Sequence, residues 1–395
     1  MKEGYIMVEN NVLLKKKVIV IIGTRPEATK MGTVIRELKK NEDVFDTLVV
    51  VTGQHKEQLY QALNAFDITP DIDLNIMKER QTLTYITAET LQKLDEVIIN
   101  KQPDIILVHG DTQAALCGSL ASYFHKIPLA HVEAGLRTDN KYSPWPEEMN
   151  RRVADSFSDL HLTPTLHSKK NLIKEAYSEN TIFITGQTSV DAALLTFKDD
   201  YSFKIPLLNE LDFQSNRILV ATVHRRENYG QPMENIFNAM KELVDKYSDI
   251  IMVYPIHKNP IVREIARPIL GNHPRIKLIE PLNYPDMINL LGRSYIIMTD
   301  SGGLQEEACV FSTPLVLLRD TTERPEAVAV NTVVLAGTVK NNIYNITNRL
   351  LGDEDAYEGM RNNINPYGDG LASERIVGVL KKYFGLSKNY PAEFS

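Results

Sequence analysis

The sequence predicts an α/β protein built from two Rossmann-like, doubly wound domains that face each other across a cleft. Three observations point there. Short continuous runs of β-branched and aliphatic residues recur along the chain, each followed by a polar turn and a helical pattern, which is how strands covered on both faces of a parallel sheet read. At 395 residues the chain is longer than one core of ordinary size usually serves. The alternation also fails once, between Lys198 and Asn216, where Pro206 sits in a charged and polar stretch, and then begins again.

Taken in order, the first series opens after Lys15-Lys16-Lys17 with Val18–Ile22, which ends in Gly23-Thr24-Arg25-Pro26-Glu27 before a helix to about Lys40. The unit repeats as Leu48–Thr52 before a helix near Lys56–Phe66, Ile105–Val108 before a helix near Ala114–Phe124, and Leu129–Val132 before another turn. Weaker units follow at Leu160–Leu162 and Ile182–Ile184. The second series runs through Ile218–Val223, Ile250–Val253, Ile276–Ile279, Ile296–Met298, Leu315–Leu318 and Val333–Leu335. This places one domain at residues 1–197 and the other at 198–372, with a last helix within about 373–395 crossing back to the first. Met1–Asn11 reads as a ragged extension.

Composition narrows the function. With 43% hydrophobic and 24% charged residues and a formal net charge of −7, the chain is a poor candidate for wrapping nucleic acid, so any anion site is local. The two cysteines, Cys117 and Cys309, fall in separate apolar helical patterns and suggest neither a disulfide nor a zinc site. No apolar run approaches the roughly 20 residues of a membrane span, and Met1–Lys17 lacks the pattern of a signal peptide. A cytoplasmic protein is the expectation.

In open parallel sheets ligands bind beyond the carboxyl ends of the strands, so the residues there carry the functional reading. Tyr295–Glu307 is the most telling stretch: a strand, then Asp300-Ser301-Gly302-Gly303 opening a helix near Leu304. Free N–H groups at a helix start, with glycines that let a ligand come close, make an anion site; Ser301 adds a hydroxyl and Glu307 can accept from ribose hydroxyls. Arg25 and Lys30 suit a phosphate or sugar oxygen, and His224-Arg225-Arg226-Glu227-Asn228 sets three cationic groups after another strand. No Gly-x-Gly-x-x-Gly follows any of these strands, which argues against a bound nicotinamide. His109-Gly110-Asp111 and His131-Val132-Glu133 admit two readings, metal ligation or, together with Glu147, proton transfer. Pairing with Arg137, Arg151 and Arg152 is the purely structural alternative.

The set Gly23–Met31, His109–Thr112, Val132–Thr138, Pro146–Arg151, His224–Asn228, Thr299–Ala308 and Arg319–Glu326 closely resembles the non-hydrolysing UDP-N-acetylglucosamine 2-epimerases of bacteria, over about Val18 to Phe384. Thr29 stands where an aliphatic residue is expected, beside Lys30 rather than in its place. The resemblance implies a GT-B architecture, a homodimer, no metal or other cofactor, and interconversion of UDP-N-acetylglucosamine with UDP-N-acetylmannosamine for cell-surface polysaccharide. It implies Asp111, Glu133, Glu147, His224 and Lys30 as catalytic residues and Arg25, Arg137, Arg225, Ser301, Gly302, Gly303 and Glu307 as the UDP-sugar site. It further implies a second UDP-N-acetylglucosamine as activator near Gln54, Arg80 and His257. A GT-B glycosyltransferase, a hydrolysing 2-epimerase and a non-enzymatic nucleotide-sugar sensor remain open beside it.

Overall fold

β-Branched runs form strands where both faces can be covered, and here they build two all-parallel sheets. The structure is a computed structural model that describes residues 14–395 apart from 54–55, 79–80 and 323. Met1–Asn11, Gln54 and Arg80 therefore lie outside the described residues. The first sheet contains β1 (Lys16–Ile22), β2 (Phe45–Val51), β3 (Ile72–Asp73), β4 (Ile105–His109), β5 (Leu129–Val132), β6 (Leu160–Thr163) and β7 (Ile182–Ile184). The second contains β8 (Arg217–Thr222), β9 (Ile250–Pro255), β10 (Ile276–Ile279), β11 (Ile296–Thr299), β12 (Leu315–Leu317) and β13 (Val333–Leu335).

Their orders are β3-β2-β1-β4-β5-β6-β7 and β10-β9-β8-β11-β12-β13. The central strands are the most apolar: Val18 to Ile22 are each at most 1% exposed, and Val20 sits between Val49 of β2 and Leu107 of β4. Each order reverses once, at β1/β4 and at β8/β11, and a crevice opens at such a switch point. With helices on both faces of each sheet, this is the GT-B architecture.

Several elements differ from expectation. The two-residue β3 and the helix Leu83–Lys101 were not foreseen. The helix buries a stripe of Ile86, Thr90, Leu94 and Ile98, one residue per turn with a threonine in it, too thin to stand out from the polar sequence around it. Glu147 is the first residue of a further helix, Glu147–Phe157, which Pro146 precedes. None of the described helices is long and apolar enough to cross a membrane.

The helix Thr188–Thr196 joins the two sheets. It packs against Arg25–Lys40 from the first and against Tyr284–Leu291 and Gly303–Val310 from the second, and one apolar cluster runs from Val20 through Val190 and Ala193 to Ile297 and Leu317. The last helix, Ala372–Tyr383, returns to the same place. It packs on Arg25–Lys40, and Lys381 Nζ donates to Asn41 Oδ1 at 2.5 Å. Beyond it the chain runs along the outer edge of β7: the Phe394 N–H donates to the Ile184 carbonyl (2.9 Å), the Ile184 N–H donates to Glu393 (3.1 Å), and the Tyr390 ring packs against Phe183 at a tilt of 37°.

Asp191 holds the start of the last helix, accepting from the N–H groups of Ala372 (3.1 Å) and Ser373 (2.7 Å). Asp191→Ala strands both buried donors, and we expect a loss of about 1–3 kcal/mol in unfolding free energy, measured in urea. An unchanged midpoint would show that water replaces the carboxylate at no cost.

Candidate active site

Local bonding first fixes the loops at the β1/β4 switch point. Glu27 turns back from the first helical turn to accept from the N–H of Gly23 (3.0 Å), the N–H of Thr24 (2.7 Å) and the Thr24 hydroxyl (2.8 Å). Its other oxygen accepts from Thr112, whose hydroxyl caps the helix Gln113–His125. Only glycine fits at position 23, because a Cβ there would lie 2.5 Å from that of Ala114. So Glu27 is a strut between two strand-end loops, and it leaves Arg25 and Lys30 on the cleft side of their helix.

At the β8/β11 switch point the strut is Asp300. Fully buried, it accepts from the N–H groups of His224 (2.9 Å) and Arg225 (2.8 Å) and from the Asn228 amide (3.0 Å). That fixes the His224 loop beside Ser301 and the helix Gly303–Val310. Nothing lies within 4 Å of where a Gly303 side chain would begin, so the helix start is open to a ligand. His224 stacks on His257 with ring centroids 5.4 Å apart, and the pKa of His257 is lowered, by desolvation first and then by His224.

Between these two loops, four buried charges meet. Lys30 pairs with Glu133 and, at 3.3 Å, with Glu306; Arg324 Nε bonds Glu306 at 2.7 Å. Gln187 (3.1 Å) and Ser189 (2.8 Å) donate to the same Glu306 carboxylate. Burial alone would raise the Glu133 pKa, yet Lys30 and then His109 outweigh it and hold the group well below the ordinary carboxylate range. Burial would likewise lower the Lys30 pKa, and Glu133 with Glu306 hold it raised. His109 Nε2 lies 3.4 Å from Glu133 and makes no hydrogen bond among the described residues. Glu133 adopts φ +66°, a left-handed conformation unfavourable for a residue with a side chain, which marks a position held by its surroundings.

The remaining expected residues divide. Asp111 lines the cleft one quarter exposed, held by Arg151. Glu147 lines it too, with Oε2 buried and without a hydrogen-bond partner among the described residues. Arg137 borders the cleft, but its guanidinium is spent on Glu175, Asp155 and the Leu136 carbonyl. His131 bonds Asp155 (2.6 Å) and the Gly110 carbonyl (2.7 Å) through its two nitrogens, leaving it neither for a metal. The described residues contain no cluster of His, Cys, Asp and Glu that could hold a metal ion.

Two cavities form one cleft. One of about 420 Å³ is walled by Thr29, His224, His257, Tyr284, Leu304 and Glu307; the other, about 740 Å³, by His109, Asp111, Glu133, Glu147, Arg225 and Arg324. Arg25, Pro26, Lys30, Ser301 and Gly303 line both. The open helix start thus stands between a compartment lined by His224, His257, Tyr284, Leu304 and Glu307 and one lined by Asp111, Glu133 and Glu147. Glu306 and Arg324 were absent from the sequence-based site. Glu306 lies in the helix after β11 and Arg324 in the turn after β12, and which of two adjacent glutamates has its carboxylate taken up by neighbours depends on how that helix docks.

Comparison with known proteins agrees with this geometry. The family model described as UDP-N-acetylglucosamine 2-epimerase matches residues 36–381. The UDP-N-acetylglucosamine 2-epimerase of Bacillus subtilis is 49% identical over 381 residues, covering 96% of this chain and 99% of that protein. The S. aureus MnaA–UDP co-structure superimposes with a TM-score of 0.87 at 44% identity, covering 96% of this chain and 100% of that one. The Neisseria meningitidis UDP-GlcNAc 2-epimerase bound to UDP-GlcNAc gives 0.85 at 43% identity, over 93% of this chain and 100% of that one. This chain belongs to the UDP-N-acetylglucosamine 2-epimerase family, whose enzymes are isomerases.

Glu307 yields a pH prediction. Desolvation, and secondarily the neighbouring Glu306 charge, push its pKa from 4.5 to about 7. Its protonated form therefore favours the fold, a contribution complete below pH about 4.5 and lost as pH rises through about 7. Glu307→Gln should raise the melting temperature relative to the parent protein more at pH 8 than at pH 5, without nucleotide. Parallel pH curves would place the carboxylate in open solvent.

Proposed function

We propose that this protein interconverts UDP-N-acetylglucosamine and UDP-N-acetylmannosamine by eliminating and re-adding UDP. The observation that carries this is the adjacency of an anion-binding helix start to three carboxylates in one continuous cleft. Carbon 2 of the sugar bears an amide nitrogen, and its proton is not α to a carbonyl, so simple deprotonation is too uphill. Elimination avoids the carbanion: a carboxylate takes the carbon-2 proton, the carbon 1–oxygen bond breaks, and its electron pair leaves on the UDP phosphate. The product is a 2-acetamidoglucal. Protonation of carbon 2 from the opposite face and return of the UDP oxygen to carbon 1 completes the inversion.

Each half needs stabilised phosphate charge and a positioned proton carrier. Ser301, Gly302 and the Gly303 helix start, with Arg25, Arg225 and His224, serve as the diphosphate clamp, and Glu307 meets the ribose. Glu133, kept ionised by Lys30, is suited to accept a proton. Asp111 lies on the same side, beyond neighbouring β4, while Glu147 enters from another element and suits the other face. Residues 1–197 with the last helix, and residues 198–372, act as the two halves that close on the sugar. Homodimerisation belongs to the same reading, and Tyr123 and Phe124, exposed on the helix Gln113–His125, offer an apolar face for it. So does activation by a second UDP-N-acetylglucosamine, with His257 at the nucleotide end as its described contact.

The test is incubation with UDP-N-acetylglucosamine in heavy water, followed by proton spectra. UDP-N-acetylmannosamine with deuterium at carbon 2 is the expected product. Free N-acetylmannosamine and UDP would make it a hydrolysing enzyme, and absence of exchange without an added acceptor would favour a glycosyltransferase. Asp111→Asn, Glu133→Gln and Glu147→Gln should each cost at least about a hundredfold in turnover. Glu147→Gln should also release UDP and 2-acetamidoglucal, because elimination proceeds while reprotonation stalls; near-normal turnover in any one variant removes that residue from the mechanism.

A further inference from the structure

We infer that Glu306 is a positioning residue for the epimerisation: it reaches from the second sheet to hold the Lys30 ammonium against Glu133. The inference rests on the function proposed above and adds a residue to it. Glu306 borders the smaller cavity, but its carboxylate is 2% exposed and both oxygens are already engaged, so it acts through its neighbours rather than by bonding substrate. One oxygen receives Gln187 and Arg324, the other Ser189 and Lys30. Four donors around one carboxylate fix its position, and through it that of Lys30.

Lys30 is a flexible ammonium on a four-carbon stem and needs more than one partner to stay in one place. Glu133 alone would leave it free to swing into the cleft towards phosphate. Glu306, a second acceptor on the same ammonium, removes that freedom and prevents Lys30 from neutralising Glu133 completely. Arg324 is held by the same carboxylate, at the wall of the compartment that contains Glu133. Because Glu306 lies on the helix opened by Ser301-Gly302-Gly303, a shift of that helix on the phosphate moves Glu306 and hence the ammonium beside the proton acceptor.

The experiment compares Glu306→Gln, Glu306→Asp and Gln187→Met in the full chain. It measures kcat and KM for UDP-N-acetylglucosamine conversion, the Kd for UDP by calorimetry, and Tm. Glu306→Gln should lose about thirtyfold or more in kcat while KM and the UDP Kd stay within about threefold, and Glu306→Asp, which keeps the charge, should recover at least about fivefold of that loss. If Glu306→Gln does not fold, Gln187→Met carries the test, with an expected loss of about threefold or more in kcat at unchanged UDP affinity. Three results would overturn the inference: kcat within about threefold of the parent in the testable variant, a loss seen in UDP affinity instead, or equal kcat and Tm losses in the Gln and Asp variants, which mark a packing role. A parent protein that does not convert the sugar nucleotide overturns the functional reading along with it, whereas an active parent with an indifferent Glu306 overturns only this assignment.

Discussion

Lys30, Glu133, Glu306 and Arg324 form a buried set of two cations and two carboxylates, and the rest of the site depends on their mutual neutralisation. Leaving one such charge buried without a partner costs several kcal/mol, so removal of any member penalises the others. The four come from the helix after β1, the turn after β5, the helix after β11 and the turn after β12. Each sheet supplies one cation and one carboxylate, and the Lys30–Glu306 pair crosses from one to the other. The constraint therefore acts on the docking of the two sheets, and it sets the ionisation of Glu133 at the same time.

The sheet orders explain why these turns are the ones that meet. Reversal at β1/β4 and β8/β11 opens two crevices, and the shared helix Thr188–Thr196 sets them face to face. Two buried carboxylates, Glu27 and Asp300, stiffen the loops at the two switch points by accepting from their backbone N–H groups. Backbone N–H groups that would otherwise be unsatisfied are spent on them, so the loops are held before any ligand arrives. The left-handed backbone of Glu133 fits the same pattern of a residue over-determined by its neighbours.

Most of the strands were legible because period and composition agree there: Leu129–Val132, Ile182–Ile184, Ile276–Ile279 and Val333–Leu335 begin and end where the apolar runs do. The helix Leu83–Lys101 was not, since a thin stripe needs a facing partner to be recognised. The strand-end rule placed Lys30, Asp111, Glu133, His224 and Ser301 in one cleft. It could not separate cleft-lining from strut roles. Arg137 and His131 carry the right chemistry at the right strand end, yet Asp155 and Glu175, 18 and 38 residues downstream of Arg137, take up their side chains. Glu306 and Glu307 illustrate the converse: both line the smaller cavity, but the Glu306 carboxylate is taken up by Gln187, Ser189, Lys30 and Arg324.

The segment running along β7 has a bearing on how the chain is made. A parallel sheet assembled from the amino terminus exposes the unpaired N–H and C=O groups of its last strand, and such an edge templates pairing with any extended chain nearby. Here the groups that occupy Ile184 come from Glu393 and Phe394, some 210 residues later in synthesis. During translation the first sheet therefore waits, with that edge bare, for the whole of the second to emerge from the ribosome. Its vulnerable period is set by the length of the other half of the protein, and a truncated chain lacking those residues would keep the adhesive edge permanently.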